Sequence, residues 1–173
     1  MAPELRNKRK DKNVIQIRLA AREDLETLFA LDQACFREGI AYSRAELRYF
    51  LFHPHSISIL AEEDGGIAGF AIVELLPETK RRIGHIVTID VDSGQRRQGV
   101  GRMLMDALLD SCREAGAALV RLEVAVDNDG AIEFYGTLGF QETGRIPGFY
   151  LGKLDALTME KELVKRSANK AVS

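Results

Sequence analysis

The sequence predicts an α+β domain of three layers, in which a mixed, mostly antiparallel sheet of about six to seven strands carries helices on both faces. Three observations support this class. The chain has 173 residues, 46% hydrophobic and 29% charged, which suits a single globular domain. Short apolar runs bounded by turn residues recur along the chain and indicate strands. One strongly amphipathic helical segment lies between two apolar runs, which predicts a central parallel pair of strands joined by a βαβ crossover.

The first half of the chain predicts a strand, two helices and a hairpin. In chain order these are a strand over 14–19, a helix over 23–36, a loop over 37–42, a helix that ends before Pro54, and strands over 56–62 and 67–76. Leu25 and Leu28 recur at helical spacing in the first helix. Ser43 and Glu46 have the spacing of a capping box at the start of the second. Residues 63–66, Glu-Asp-Gly-Gly, supply the positive-φ positions of a tight turn.

The second half predicts the βαβ unit and a final hairpin. In chain order these are a strand over 83–91, a helix over 99–115, a strand over 118–126, a short helix over 130–138, and strands over 140–146 and 157–164 joined by a long loop. Ligands of open α/β sheets bind at the carboxyl ends of the strands. We therefore expect the functional site near Val91 and Val126.

The charge of the chain is unevenly distributed. The formal net charge is −2, but residues 1–12 hold five Lys or Arg and two acids, and residues 164–173 hold three Lys or Arg and no acid, so the body over 13–163 carries −8. We expect one domain over 14–163 between flexible tails over 1–13 and 164–173. An acidic body argues against nucleic-acid binding and favours a cationic substrate such as an amine.

The sequence predicts neither a membrane protein nor a secreted one. The first residues lack the apolar stretch of a signal peptide, and the longest later apolar run, 67–73, falls far short of the ~20 residues that span a bilayer. Cys35 and Cys112 stand among apolar helical neighbours, so we interpret both as core residues and expect no disulfide framework and no metal. These features favour a cytoplasmic protein.

A glycine-rich segment between a predicted strand and the third helix has the features of an anion site. Residues 95–101 are Gln-Arg-Arg-Gln-Gly-Val-Gly; the glycines let the backbone approach an anion, and the first N–H groups of the helix point toward it. No Gly-Lys-Ser/Thr follows, and Leu104 stands where a Rossmann fingerprint has its third glycine, which disfavours ATP and NAD. A phosphate cradle and a plain glycine-rich turn both fit these residues alone.

This segment resembles the acyl-CoA pyrophosphate loop of the GNAT acetyltransferase superfamily, whose pattern is Arg/Gln-x-x-Gly-x-Gly/Ala. Arg96, Gly99 and Gly101 fill its fixed positions. A second block over 122–140 resembles the next motif of the superfamily, with Leu-Glu-Val, an asparagine, Ala-Ile, Phe-Tyr and Leu-Gly-Phe in order. The resemblance extends over 17–163 and implies the GNAT fold and acetyl-CoA as the cofactor.

Within the superfamily the chain resembles most the RimI-like and protein N-terminal acetyltransferase branch. The features that carry this are Gly-His-Ile-Val-Thr at 84–88, Leu-Glu-Val at 122–124, and Phe149-Tyr150 ahead of Asp-Ala-Leu-Thr-Met at 155–159. Two positions depart from the pattern. Ala-Tyr-Ser at 41–43 stands where RimI proteins have Pro-Trp-Ser, and Phe149 replaces one of two tyrosines, so the resemblance does not identify the acceptor.

The resemblance implies three catalytic residues. Relatives use the positions of Glu123 and His85 for the general base, and they aim a tyrosine at the position of Tyr135 toward the coenzyme A sulfur to protonate the leaving thiolate. The residues alone also allow other interpretations. Glu123 could be a surface carboxylate paired with Arg121, His85 a half-buried histidine and Tyr135 a core aromatic residue.

The resemblance also implies the residues that hold the two substrates. The cofactor-binding set is Ile89, Asp90, Val91, Arg96, Arg97, Gln98, Gly99, Val100, Gly101, Arg102, Asn128 and Tyr135. The acceptor-binding set is Phe36, Tyr42, Phe149 and Tyr150. We expect the Val91 N–H to meet the developing oxyanion, since a bulged strand end frees backbone donors. Asp90 is larger and more charged than the small residue often found at its position.

Together these features predict an acetyl-CoA-dependent N-acetyltransferase that acts by direct transfer in a ternary complex on the N-terminal α-amine of a protein or peptide. A small amine, such as a polyamine, amino acid or aminoglycoside, is the alternative acceptor, and the acidic body suits it equally. A non-catalytic acyl-CoA-binding module is the alternative from another class. The presence of Glu123, His85 and Tyr135 counts against that alternative.

Overall fold

The structure, a computed structural model, describes residues 14–164. Its strands are β1 (Gln16–Leu19), β2 (Ser56–Glu63), β3 (Gly66–Glu78), β4 (Arg81–Val91), β5 (Ala117–Ala125), β6 (Gln141–Tyr150) and β7 (Leu154–Glu162). Its helices are α1 (Leu25–Cys35), α2 (Arg44–Phe52), α3 (Val100–Glu114) and α4 (Asp129–Thr137). The predicted flexible tails over 1–13 and 164–173 lie outside the described residues, except for Val164.

The seven strands form one sheet in the order β1-β2-β3-β4-β5-β7-β6. β4 and β5 are parallel, and each of the other neighbouring pairs is antiparallel. Helix α3 connects the parallel pair, so β4, α3 and β5 make the predicted βαβ unit. The predicted fold class is therefore confirmed, including the position of the parallel pair inside a mostly antiparallel sheet.

Helices cover the sheet on both faces and bury two apolar clusters. Helices α3 and α4 pack on one face, where Leu104 and Leu108 are fully buried. Helices α1 and α2 pack on the other, where Leu28 and Leu47 cover the buried ring of Phe70. The apolar stripe of each helix thus faces the sheet, as its helical spacing predicts.

Most element boundaries lie within two residues of their predicted positions. Ser43 and Glu46 form the expected capping box, in which the Ser43 side chain accepts from the Glu46 N–H and the Glu46 carboxylate accepts from the Ser43 N–H. In the turn between β2 and β3, Asp64 and Gly65 have φ values of 50° and 77°, so the positive-φ prediction for this turn is confirmed.

The C-terminal hairpin differs from its prediction. Instead of a long loop, β6 continues to Tyr150 and β7 begins at Leu154. Pro147 disfavours the interior of a sheet, but β6 is the edge strand, where a missing N–H costs no ladder partner. The ladder absorbs the irregularity through a register shift between Ile146 and Tyr150. Phe149 and Tyr150 therefore lie on a strand rather than in a loop.

The parallel pair diverges toward its carboxyl ends. Its ladder ends where His85 pairs with Arg121, although β4 continues to Val91 and β5 to Ala125. Beyond His85, β4 remains paired only with β3, and β5 beyond Arg121 remains paired only with β7. The sheet therefore opens into a cleft at its centre.

Strand β4 contains a bulge inside this diverging stretch. Ile86 and Thr88 pair with consecutive residues of β3, so Val87 is the extra residue. The predicted bulge at the very end of β4 is wrong, because the register with β3 is unbroken from Thr88 to Val91. The strand is bent four residues earlier, close to the last rung that it shares with β5.

Candidate active site

The divergence of β4 and β5 forms a cavity of about 1070 Å³ at the carboxyl ends of the parallel pair. Its walls come from both strands, the start of α3, α4, the loop between α1 and α2, and the β6–β7 hairpin. The predicted site residues that line it are Phe36, Tyr42, His85, Ile89, Asp90, Val91, Arg96, Arg97, Gly99, Gly101, Arg102, Glu123, Asn128, Tyr135, Phe149 and Tyr150. The fold thus brings together residues from six separate segments.

Two predicted cofactor residues do not contribute side chains to the cavity. The Gln98 side chain donates to the Gly94 carbonyl at 3.2 Å. Val100 is 1% exposed and packs in the core beneath α3. Any contribution of these two residues to an anion site is therefore made by their backbone N–H groups.

His85 and Glu123 meet across the gap between the strands. His85 Nε2 lies 2.6 Å from Glu123 Oε2, and the side chains are 30% and 15% exposed. The pairing of Glu123 with Arg121 is wrong, because Arg121 bonds Glu160 at 2.6 Å and Glu78 at 3.1 Å instead. A carboxylate in contact with an imidazole can accept a proton and share its charge, which is the requirement for a general base.

Tyr135 reaches the cavity from α4. The residue is 9% exposed and packs edge-on against Phe140, with 5.9 Å between the ring centroids. Its burial therefore agrees with both earlier interpretations, since the ring belongs to the core while the residue lines the cavity. Desolvation raises the pKa of the Tyr135 phenol, so the hydroxyl keeps a proton that it can donate.

The end of β4 presents backbone groups to the cleft. Asp92 N–H donates to the Ala68 carbonyl, so the even-numbered residues from Thr88 onward hydrogen bond to β3. Ile89 and Val91 therefore turn their N–H and carbonyl groups the other way, toward the gap left by β5. An oxyanion donor at Val91 thus needs no bulge at that position, because the divergence of the strands already leaves its N–H without a ladder partner.

The start of α3 has the backbone geometry that an anion cradle requires. Gly99 is the N-cap with a φ of 84°, and Arg97 just before it has a φ of 62°. The first helical hydrogen bond runs from Met103 N–H to the Gly99 carbonyl, so the N–H groups of the preceding turn have no partner within the helix. Unpaired N–H groups, the positive end of the helix dipole and three arginines that line the cavity fit the pyrophosphate of an acyl-CoA.

Two of the remaining cofactor candidates already have structural partners. Asn128 caps α4, since its Oδ1 accepts from the Ala131 N–H at 3.2 Å. Arg102 lies 3.7 Å from Asp106 on the same helix, and both side chains are more than half exposed. Asn128 therefore both caps α4 and lines the cavity.

Aromatic residues line the part of the cavity that is predicted to bind the acceptor, here called the acceptor side. The Tyr42 hydroxyl donates to the Val87 carbonyl at 3.2 Å, which is the carbonyl freed at the bulge. The Tyr150 hydroxyl donates to the Glu123 carbonyl at 3.5 Å. Desolvation raises the pKa of Tyr42 to about 12 and raises that of Tyr150, so both phenols stay neutral.

The two segments of the acceptor side touch each other. The Leu151 side chain, at the tip of the β6–β7 hairpin, packs against Gly39, where an added Cβ would lie 3.1 Å from Leu151 Cδ2. Arg37 lies 3.8 Å from Asp127, which connects the same α1–α2 loop to the segment before α4. The α1–α2 loop therefore bridges the cleft, since it contacts the β6–β7 hairpin through Gly39 and the segment before α4 through Arg37.

Sequence reasoning missed several residues of this wall. Ile40, Val87 and Leu154 line the cavity; the first two lie in the loop over 37–42 and the motif over 84–88, but their apolar side chains give no sign of a site. Asp32, which lies beneath the wall, did carry a signal, because it follows Leu28 by one helical turn and so places a carboxyl on the buried stripe of α1. It is fully buried.

The two cysteines have different environments. Cys112 is fully buried, so its core assignment is confirmed. Cys35 is half-buried and lines the cavity, with its Sγ 3.6 Å from the Val91 carbonyl and 3.9 Å from Arg96, so its core assignment is wrong. Desolvation raises the pKa of the Cys35 thiol, which disfavours a nucleophilic thiolate.

The described residues hold no group of three or more His, Cys, Asp or Glu side chains that could bind a metal ion. Between residues 14 and 164, no helix is long and apolar enough to cross a membrane.

The profile of the Acetyltransferase (GNAT) family matches residues 25–140 of the chain. The chain is 30% identical over 153 residues to the N-alpha-acetyltransferase RimI of Mycobacterium tuberculosis, a match that spans 88% of this chain and 95% of that protein. These matches cover the glycine-rich segment, both diverging strands and α4.

Solved structures show the same fold. The structure of Ard1 from Thermoplasma volcanium superposes with a TM-score of 0.77 at 34% identity, over 87% of this chain and 98% of that one. The ribosomal-protein-S18-alanine N-acetyltransferase from Escherichia coli superposes with a TM-score of 0.77 at 24% identity, over 92% and 99% of the two chains.

Proposed function

Because the chain belongs to the acetyltransferase (GNAT) family, in its RimI-like branch, and is an acetyl-CoA-dependent N-acetyltransferase, we propose that its acceptor is the N-terminal α-amine of a protein or peptide. The observation that carries the proposal is the contact of His85 Nε2 with Glu123 Oε2 at 2.6 Å in the wall of the cleft. The packing of Leu151 against Gly39 covers this cleft. A covered cleft with a base in its wall suits the free end of an extended chain.

The base position suits an α-amine chemically. With a pKa of 7.7–8.0, roughly a tenth of α-amino groups are already neutral at pH 7, against well under ~0.1% of lysine side chains near 10.4. Glu123 takes the remaining proton from the ammonium group, directly or through a water molecule, and His85 shares the resulting proton through its Nε2. A modest base is therefore sufficient for this acceptor.

Other residues of the chain hold the cofactor and the leaving group. When bound, acetyl-CoA supplies an activated thioester carbonyl. The N–H groups at Gly99 and Gly101, with Arg96, would hold its phosphates, and the Val91 N–H would stabilise negative charge on the carbonyl oxygen. The Tyr135 hydroxyl, kept protonated by burial, would supply the proton for the thiolate.

The acceptor is tested by following thiol release from acetyl-CoA. The panel contains peptides with a free α-amine, the same peptides with an acetylated N-terminus and one lysine, and small amines. Release with the first group alone supports the proposal. Release with small amines alone would show that the acceptor is a small molecule. The −8 charge of the body also suits a cationic small molecule. Binding of acetyl-CoA without release on any arm would reject the proposed acceptor.

We also propose that the enzyme acts in the cytoplasm. Both cysteines are free thiols, and Cys35 lies in the cavity wall, where oxidation would change the site. A reducing compartment keeps such a thiol intact. Fractionation of cells that express the protein from its own locus tests this location.

A further inference from the structure

Two acids lie side by side beneath the acceptor wall. Asp32, on α1, is fully buried, and Asp90, on β4, is 1% exposed. Their side chains are within hydrogen-bonding reach of each other. The proposed catalytic steps use neither carboxyl, and the Asp90 carboxyl contacts Asp32 and the Thr88 hydroxyl.

The hydrogen bonds that the described residues form around the pair leave one oxygen of each carboxyl without a donor, so a proton can lie between these two oxygens. Asp32 Oδ2 accepts from the Tyr42 N–H at 2.8 Å, and Asp90 Oδ1 accepts from the Thr88 hydroxyl at 2.6 Å. No N–H or O–H group between residues 14 and 164 donates to Asp32 Oδ1 or Asp90 Oδ2. Two ionised carboxylates in this arrangement would repel each other and leave one oxygen of each without a donor, whereas one shared proton satisfies both free oxygens.

The surrounding polar groups do not replace that proton: the Gln33 side chain lies beside Asp32 and donates to the Tyr42 carbonyl at 2.8 Å, and the described part of the chain gives neither free oxygen a donor. The titratable and charged groups that act on the pair come from α1, the α1–α2 loop, the segment before α3, and α4; they are Cys35, Tyr42, Arg96 and Tyr135. Among these, Arg96 alone is cationic, and its guanidinium is directed to the Val91 carbonyl and the Cys35 sulfur. Burial raises the pKa of both carboxyls, that of Asp90 to about 8.

From this geometry we infer that Asp32 and Asp90 share one proton and that this acid pair fastens the α1–α2 loop to strand β4, as a positioning device for the acceptor site. Strand β4 is held by its ladder to β3, whereas the end of the loop at Tyr42 is attached to Asp32 through its N–H and to β4 through its hydroxyl, while Gly39 and Arg37 contact the hairpin and Asp127. Loss of the proton is therefore expected to loosen the loop at Tyr42 rather than the strand. The inference rests on the proposed function insofar as the loop binds the acceptor.

The consequence is a rise of the acceptor KM at alkaline pH. The fraction of enzyme with a fastened loop falls as the pair loses its proton, so KM increases by up to about tenfold per pH unit above the pKa of the pair. We expect kcat to stay constant over the same pH range, because the residues that contact the reacting atoms lie on β4, β5 and α4.

The variant Asp90→Asn tests this without removing the contact. Its amide oxygen can accept from Thr88, and its NH₂ group donates to Asp32, so a fixed donor replaces the shared proton. We expect the alkaline rise of the acceptor KM to disappear in Asp90→Asn. Glu133→Gln, an exposed change of the same charge on α4, is the matched control and should keep the wild-type pH profile. An equal alkaline rise in Asp90→Asn and wild type would overturn the inference.

A second measurement does not depend on turnover. In protein with ¹³C-labelled aspartate carboxyl groups, one buried signal should titrate in the neutral to alkaline range and vanish in Asp90→Asn, and the Tyr42 amide should lose protection from hydrogen exchange over the same range. If every aspartate titrates below pH 5, the shared proton does not exist. If the NMR titration is found but no peptide is acetylated, the shared proton between Asp32 and Asp90 is supported and the proposed peptide acceptor is rejected.

Discussion

The two sides of the cleft are built in different ways. The cofactor side, which is proposed to hold acetyl-CoA, centres on a contiguous stretch at the start of α3, where backbone N–H groups without helical partners surround Gly99, which has a φ of 84°. The acceptor side, which is proposed to bind the acceptor, is made of side chains from α1, the loop after it, β4 and the β6–β7 hairpin. A backbone site tolerates side-chain changes but fails when its turn is blocked. A side-chain site can change its preference residue by residue.

The sharpest way to break the cofactor side is Gly99→Arg. A large residue at a left-handed N-cap strains the turn and places its side chain in the cradle, so we expect acetyl-CoA binding to fall below detection in calorimetry. Gly116→Arg, at the opposite end of α3, has a φ of 79° and equally open surroundings, and it should bind normally. Loss of binding in both variants would point to α3 itself rather than to the cradle.

The base between the two sides is tested by Glu123→Gln. We expect kcat/KM to fall by about 10²-fold, a typical contribution of a general base, with its rise shifted to higher pH. His85→Gln should give a smaller loss, because Glu123 remains. The measurement is the pH profile of kcat/KM with a peptide acceptor, and unchanged profiles in both variants would remove these residues from the base position.

The acid on the cofactor side is tested by Tyr135→Phe. We expect kcat to fall by about tenfold or more while the affinity for acetyl-CoA changes little, since only the hydroxyl is removed and the packing against Phe140 is kept. Steady-state kinetics and calorimetry together separate the two quantities. A matching loss of affinity would assign the hydroxyl to cofactor binding.

The smallest expected effect lies on the acceptor side, in Tyr42→Phe. This variant loses the hydrogen bond to the Val87 carbonyl, worth about 1 kcal/mol, so the acceptor KM should rise by about fivefold with acetyl-CoA binding unchanged. Tyr49→Phe, on the exposed face of α2, is the matched control. A change in acetyl-CoA affinity would show that the two sides are not independent.

This difference between the sides also explains what the sequence could predict. The glycine spacing of the cradle, the cap at Ser43 and the apolar spacing of α3 are local patterns, so the structure follows them closely. The proximity of His85 to Glu123 could be inferred from the sequence, because the two residues stand on the two strands of the predicted parallel pair. The divergence of those strands, by contrast, depends on long-range pairing.

The residues that sequence reasoning misplaced depend on that long-range geometry. Cys35 has apolar neighbours in the chain yet faces the cavity, and Pro147 lies in a strand because β6 is at the edge. The contact between Asp32 and Asp90 joins segments far apart in sequence, and neither residue indicates the other. An acid on the apolar stripe of a helix nevertheless indicates, from the sequence alone, that a polar partner must contact it in the folded protein.

The divergence of β4 and β5 has a consequence for the stability of the enzyme itself. It creates two strand edges in the middle of a sheet, and proteins ordinarily avoid leaving such edges without partners. A ligand that fills the cleft binds the folded chain and not the unfolded one, so saturation to 100 times the dissociation constant adds about 2.7 kcal/mol to the free energy of unfolding. Acetyl-CoA would then act as a stabilising ligand of the folded enzyme as well as its substrate.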